Sequence, residues 1–104
     1  MTDMLVRTPG LAIALARTVG PHPAALMRGH GAVVVGDTIP QAVARRIYME
    51  LNARLQQQAI ALGSVTYLDP EEARLGVATQ AGSSRSWALW KEKALGRRHA
   101  RPLA

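Results

Sequence analysis

The 104-residue chain contains no cysteine and no phenylalanine. The first absence excludes a disulfide scaffold, a Cys-based zinc module, an iron–sulfur centre and a thiol nucleophile, and it fits a reducing compartment. The second, with only two Trp and two Tyr, leaves a core to be built from Ala, Leu, Val and Ile. No apolar run approaches the roughly 20 residues that span a bilayer. Met1 to Arg7 carries an acid and lacks the apolar stretch of a signal peptide. These absences lead to the expectation of a soluble, cytoplasmic protein with no membrane partner. An apolar share of 48% argues against wholesale disorder, and 11.2 kDa is room for one small domain.

Acid is missing from one region in particular. Thirteen Lys and Arg stand against seven Asp and Glu, a net charge of +6. From Met1 to Glu92 the charges nearly cancel. The end of the chain then adds Lys93, Arg97, Arg98 and Arg101 with no acid. Such an excess fits a solvated basic tail, and it also fits a nucleic-acid partner.

Thr8-Pro9 reads as a helix cap and first helical residue, and Gly20-Pro21 as a stop, which predicts a helix over Pro9–Val19. Leu11, Ala14, Leu15 and Val19 share one face of it. Ala24–Met27 and Ala32–Val35 are apolar runs without alternation, so both read as strands buried on two faces. Arg28-Gly29-His30-Gly31 joins them. Thr38-x-x-Gln41 has the capping-box form and opens a long helix, Ile39–Leu62, ended by Gly63. Ile39, Val43, Ile47, Leu51, Leu55 and Leu62 form a drifting stripe on it, and Arg46, Glu50 and Arg54 make i,i+4 pairs. Gln56–Gln58 suits either plain solvent or a face partly covered by another subunit. Asp69-Pro70-Glu71-Glu72 starts a third helix that ends near Gly82. Ser83 or Ser84 caps a fourth, which carries Trp87 and Trp90 and stops at Gly96. Two short strands form a ribbon that is marginal in water, so the sheet calls for further neighbours.

Candidate chemistry centres on the three histidines. His99 lies in the basic tail and His22 in a proline-bounded connector. His30 sits between two glycines at the strand junction, where backbone can take positive φ or come close to a ligand. It reads either as a turn residue making one hydrogen bond or as a metal ligand, neutral imidazole being the commonest one. A catalytic zinc-type site takes three protein ligands, and no His-x-His pair exists in the chain. Any partners of His30 therefore lie on another segment. Ser83, Ser84 and Ser86 form no nucleophile elbow, and Gly29-His30-Gly31 lacks the continuation of a phosphate loop. Tyr48 and Tyr67 have no evident partner, and the Trp pair reads as packing.

The segment Leu26-Met27-Arg28-Gly29-His30-Gly31-Ala32-Val33-Val34-Val35-Gly36 resembles the class II aldolase/adducin family: strand, His-Gly turn, Val-rich strand, then a long helix. Ala42, Ala44, Tyr48, Glu50, Asn52, Ala53 and Gln56 resemble that family's helix. Met4–Pro9, Val65–Ala73 and Trp87–Lys91 resemble one branch, the 2-hydroxy-3-carboxymuconic semialdehyde decarboxylases. The resemblance implies that residues 1–95 are the C-terminal portion of such a domain and that 96–104 are a basic tail. The implied fold class is α/β: a helix-rich fragment, with two short strands, of a three-layer α/β/α fold.

The resemblance also implies an oligomer with a divalent metal, zinc, manganese or similar, held by three His, of which His30 matches the third. The other two, a Gly/Ser anion loop and an acidic catalytic residue have no counterpart in this chain. In full-length relatives the implied reaction is loss of a carboxyl group from a small-molecule keto acid. The metal there chelates a carboxylate and the 2-oxo group and stabilises the enolate left behind. The expectation is thus a truncated lyase, inactive alone, that forms a homo-oligomer or lacks an N-terminal half. Two other classes stay open. One is a small basic helical protein that binds nucleic acid through Arg97, Arg98 and Arg101, although no recognition motif supports it. The other is an oligomerisation protein that uses the long helix and the open strand edges.

Overall fold

The computed structural model describes residues 5–79 and 84–100. Its elements run α1 (Pro9–Val19), β1 (Ala24–Met27), β2 (Gly31–Val34), α2 (Ile39–Leu62), α3 (Pro70–Thr79) and α4 (Ser84–Ala100). The chain is helix-rich with two short antiparallel strands, and it divides into two units, Met1–Arg45 and Arg46–Ala104.

In the first unit, Thr8 caps α1 through its hydroxyl, which accepts from Leu11 N at 3.2 Å. Gly20 closes the helix with an N–H to Ala16 O at 3.0 Å and a φ of 52°. The chain turns and enters a hairpin whose register pairs Ala24 with Val34 and Met27 with Gly31. The second strand starts one residue earlier than its apolar run suggests. Gly31 joins the ladder, and Val35 lies beyond it, donating its N–H to Pro23 O at 2.9 Å. α1 lies against β1, and Val19 and Ala44 are the buried hydrophobic residues among those described.

The strands are not buried on two faces. Ala25, Met27, Val33 and Val34 are half-buried, while Leu26 is 82% exposed. An apolar run records what a strand's faces require. Among the described residues the sheet holds two strands, and α1 covers only part of them.

Gly36 lets the chain leave the hairpin against the first turn of α2. A Cβ placed there would stand 2.7 Å from Ala42 N and 3.0 Å from Ala42 Cα, so only glycine fits without backbone movement. Thr38 caps α2 by accepting from Gln41 N at 3.2 Å. The Gln41 side chain reaches back one residue further than the usual capping box and accepts from Asp37 N at 2.7 Å. Arg45 Nη1 then donates to Val35 O at 2.8 Å, tying the strand end to the helix.

In the second unit the stripe on α2 stays largely open, with Leu51, Leu55 and Leu62 all exposed. Tyr48 and Trp90 meet edge to face, ring centroids 6.2 Å apart at 67°. Gln56 Nε2 donates to Tyr67 OH at 3.1 Å. Both tyrosines thus have partners that sequence spacing did not reveal. Asp69 and Glu72 form a reciprocal capping box: Glu72 N donates to Asp69 Oδ1 at 2.9 Å and Asp69 N to Glu72 Oε2 at 3.0 Å.

α4 does not stop at Gly96 but continues to Ala100. An internal glycine costs a helix about 1 kcal/mol and does not break it, and the flanking Leu95, Arg97 and Arg98 are good helix formers. The expected end of α3 near Gly82 and the Ser83 cap lie outside the described residues.

Candidate functional site

The hairpin tip is built by three residues, Arg28, Gly29 and His30, between the paired Met27 and Gly31. His30 N donates to Met27 O at 3.0 Å, which closes the turn. Gly29 takes a φ of 69° and Gly31 a φ of 127°, so both glycines flanking His30 hold backbone that L side chains rarely adopt. The sequence therefore fixes where His30 leaves the scaffold: a ladder on one side, a glycine on each flank, a closed turn behind.

His30 is exposed and packs into no apolar core, and Arg28 beside it is exposed as well. Arg28 forms no ion pair with any described residue. The reason is compositional. Between Asp3 and Asp37 the sequence has no acid, while Arg7, Arg17, Arg28, His22 and His30 all fall in that span. The tip thus carries a guanidinium that pairs with no carboxylate among the described residues, two residues from an imidazole.

Metal chemistry needs convergent donors. Among the described residues no group of three or more His, Cys, Asp and Glu could hold an ion. His22 is exposed in the turn that precedes β1. The side chain of His99 lies outside the described residues. The residues described therefore do not by themselves make up a divalent-ion site, and His30 stands as a single donor.

The remaining charge pairs sit on helix surfaces. Glu50 accepts from Arg46 Nη1 at 2.8 Å and from Arg54 Nη2 at 2.9 Å. The hydrogen bond and charge of Arg46, then the charge of Arg54, hold its carboxyl below the ordinary glutamate range. Arg74 Nη2 donates to Glu71 Oε1 at 2.6 Å, which lowers the carboxyl and raises the guanidinium. These exposed pairs support helices and converge on no cleft. Arg97 is exposed on α4, and Arg101 lies outside the described residues. No described helix is long and apolar enough to cross a membrane.

Comparison with known proteins bears on the same hairpin. The model of the class II aldolase and adducin N-terminal domain matches residues 2–57, more than half of the chain and all of the hairpin. Decarboxylase tropJ of Talaromyces stipitatus is 32% identical over 108 aligned residues, covering 85% of this chain and 41% of that protein. The 3,4-dihydroxyphthalate decarboxylase of Terrabacter sp. is 38% identical over 60 residues, covering 58% of this chain and 25% of that protein. The chain thus spans about two-fifths of the first relative's length and a quarter of the second's. No solved structure matches it. With the strand, His-Gly turn, Val-rich strand and most of the long helix inside the matched residues, the chain belongs to the class II aldolase and adducin family.

Proposed function

We propose that this chain is part of a metal-dependent carbon–carbon lyase that decarboxylates a small carboxylated substrate. In this reading it is the C-terminal portion of a three-layer α/β/α domain. The substrate is of the 2-hydroxy-3-carboxymuconate semialdehyde type or a related ring-derived dicarboxylate. The two relatives, both named as decarboxylases, support the reaction class. The observation that carries the reading is His30, exposed and fixed at a hairpin tip between two glycines of positive φ. An imidazole placed by a closed turn and left open to one side suits a ligand that shares an ion with donors on other polypeptide.

The packing supports the same reading. With Val19 and Ala44 as the buried hydrophobic residues described, the half-covered strands and the open stripe of α2 require further apolar cover. A second subunit or another segment of a longer polypeptide would supply it, and an oligomer is the form this reading takes.

The test is complementation. The pure chain with added zinc or manganese should give no carbon dioxide from a dicarboxylated substrate. Adding a polypeptide that carries a His-x-His pair and completes the sheet should restore turnover, and His30→Asn should abolish it again. Turnover by the chain alone, or turnover indifferent to His30, would overturn the proposal.

A further inference from the structure

The proposed function leaves Arg28 without a role. It occupies the first position of the three-residue tip, with Gly29 at φ 69° between it and His30. It is exposed, makes no ion pair with a described residue, and sits in a stretch of sequence that holds no acid from residue 4 to residue 36. Arg46, Arg54 and Arg74 have a carboxylate partner on their own helix, while exposed Arg17, Arg85 and Arg97, like Arg28, form no ion pair with a described residue. Arg28 is placed differently, on the one element that also carries the proposed ligand.

We propose that Arg28 is a substrate-binding residue that grips the carboxylate the substrate keeps. The inference rests on the decarboxylase reading above and deepens it by naming a binding group. A guanidinium presents parallel N–H donors that match a carboxylate in two-point fashion, which a lysine ammonium cannot do. Which carboxylate it binds follows from the charge change in the reaction. The carboxylate that leaves gives up its negative charge as the C–C bond breaks, the bonding pair passes to carbon, and neutral carbon dioxide departs. A cation fixed on that group would stabilise the starting state more than the transition state and slow the step. A cation on a carboxylate that remains carries no such penalty and orients the substrate. Arg28 therefore selects substrates with a second carboxylate, and the parent of the Terrabacter relative's name, a phthalate, has two.

The experiment uses the full chain, labelled with nitrogen-15, and phthalate as probe. Titration should move the Arg28 Nε–Hε resonance saturably, and neutral phthalamide should leave it in place. Arg28→Gln should weaken phthalate binding about fivefold, the size expected of one exposed charge-assisted pair, and Arg28→Lys should recover part of the loss. An Arg28 resonance that does not respond overturns the proposal, as do equal, unsaturated shifts at Arg7, Arg17 and Arg97. A parallel zinc titration, run with the polypeptide that bears a His-x-His pair present, reads His30 independently. Saturation at Arg28 with an unmoved His30 would sink the metal reading and leave the anion site standing. A zinc response at His30 with an inert Arg28 would sink the anion site alone.

Discussion

The two units of the chain are held together by different forces. The unit Met1–Arg45 adds backbone constraints to its side-chain caps: a four-pair ladder, a turn closed by His30 N to Met27 O, and a glycine pressed against Ala42. In the unit Arg46–Ala104 the constraints are side-chain contacts between helices and loop, Tyr48 with Trp90 and Gln56 with Tyr67, plus ion pairs along single helices. Both hydrophobic residues that are buried among those described, Val19 and Ala44, belong to the first unit. Backbone constraints fix position more narrowly than exposed side-chain contacts do. The difference places the ladder, the closed turn and the buried residues in the unit where the candidate ligand sits.

That contrast can be broken or sharpened by substitution, read by residue-resolved amide exchange. The largest expected effect is Gly36→Ala. Its Cβ meets the backbone of Ala42, and overpacking of this kind costs about 2 kcal/mol. Protection should fall in the hairpin and the first turn of α2 while α3 and α4 exchange as before. Next comes Gly29→Ala, which forces a φ of 69° on an L side chain at about 1–2 kcal/mol and should loosen the tip that carries His30. Asp69→Ala is the matching change in the second unit. It removes one half of a reciprocal cap, costs about 1 kcal/mol, and should raise exchange in α3 with the hairpin unmoved.

The smallest effect is that of acid on Glu50. Its pKa is depressed in the folded chain, chiefly by the hydrogen bond from Arg46. The pair's contribution is therefore present above the unfolded glutamate value and is lost as pH falls through the lowered folded value. Helicity followed by circular dichroism should decline below about pH 4.3, and Glu50→Gln should flatten that decline. An unchanged profile would show that the pair adds nothing.

Much of this architecture was readable from punctuation. Thr8-Pro9, Gly20, Thr38 and Gly63 bracket α1 and α2 because caps and breakers act locally, within one turn. What depends on distant partners was not readable. The strands looked doubly buried because composition reports a requirement, while burial depends on what else packs there. The Tyr48–Trp90 contact spans many residues and leaves no local pattern. Gly96 does not end α4, since glycine weakens a helix without ending it. At the candidate site, His30 stands out through its flanking glycines, whereas Arg28 reads as any turn charge, since its place on the same three-residue tip follows from the ladder register.

Zinc affinity of the chain, measured by calorimetry with and without a polypeptide bearing a His-x-His pair, tests the central claim most directly. The chain alone should bind weakly, and the mixture should bind one ion tightly. His30→Asn should weaken the mixture's affinity by about 100-fold or more, since a direct ligand matters at least as much as the groups that orient one. Equal affinity for the mixture with and without the His30 imidazole would contradict the account.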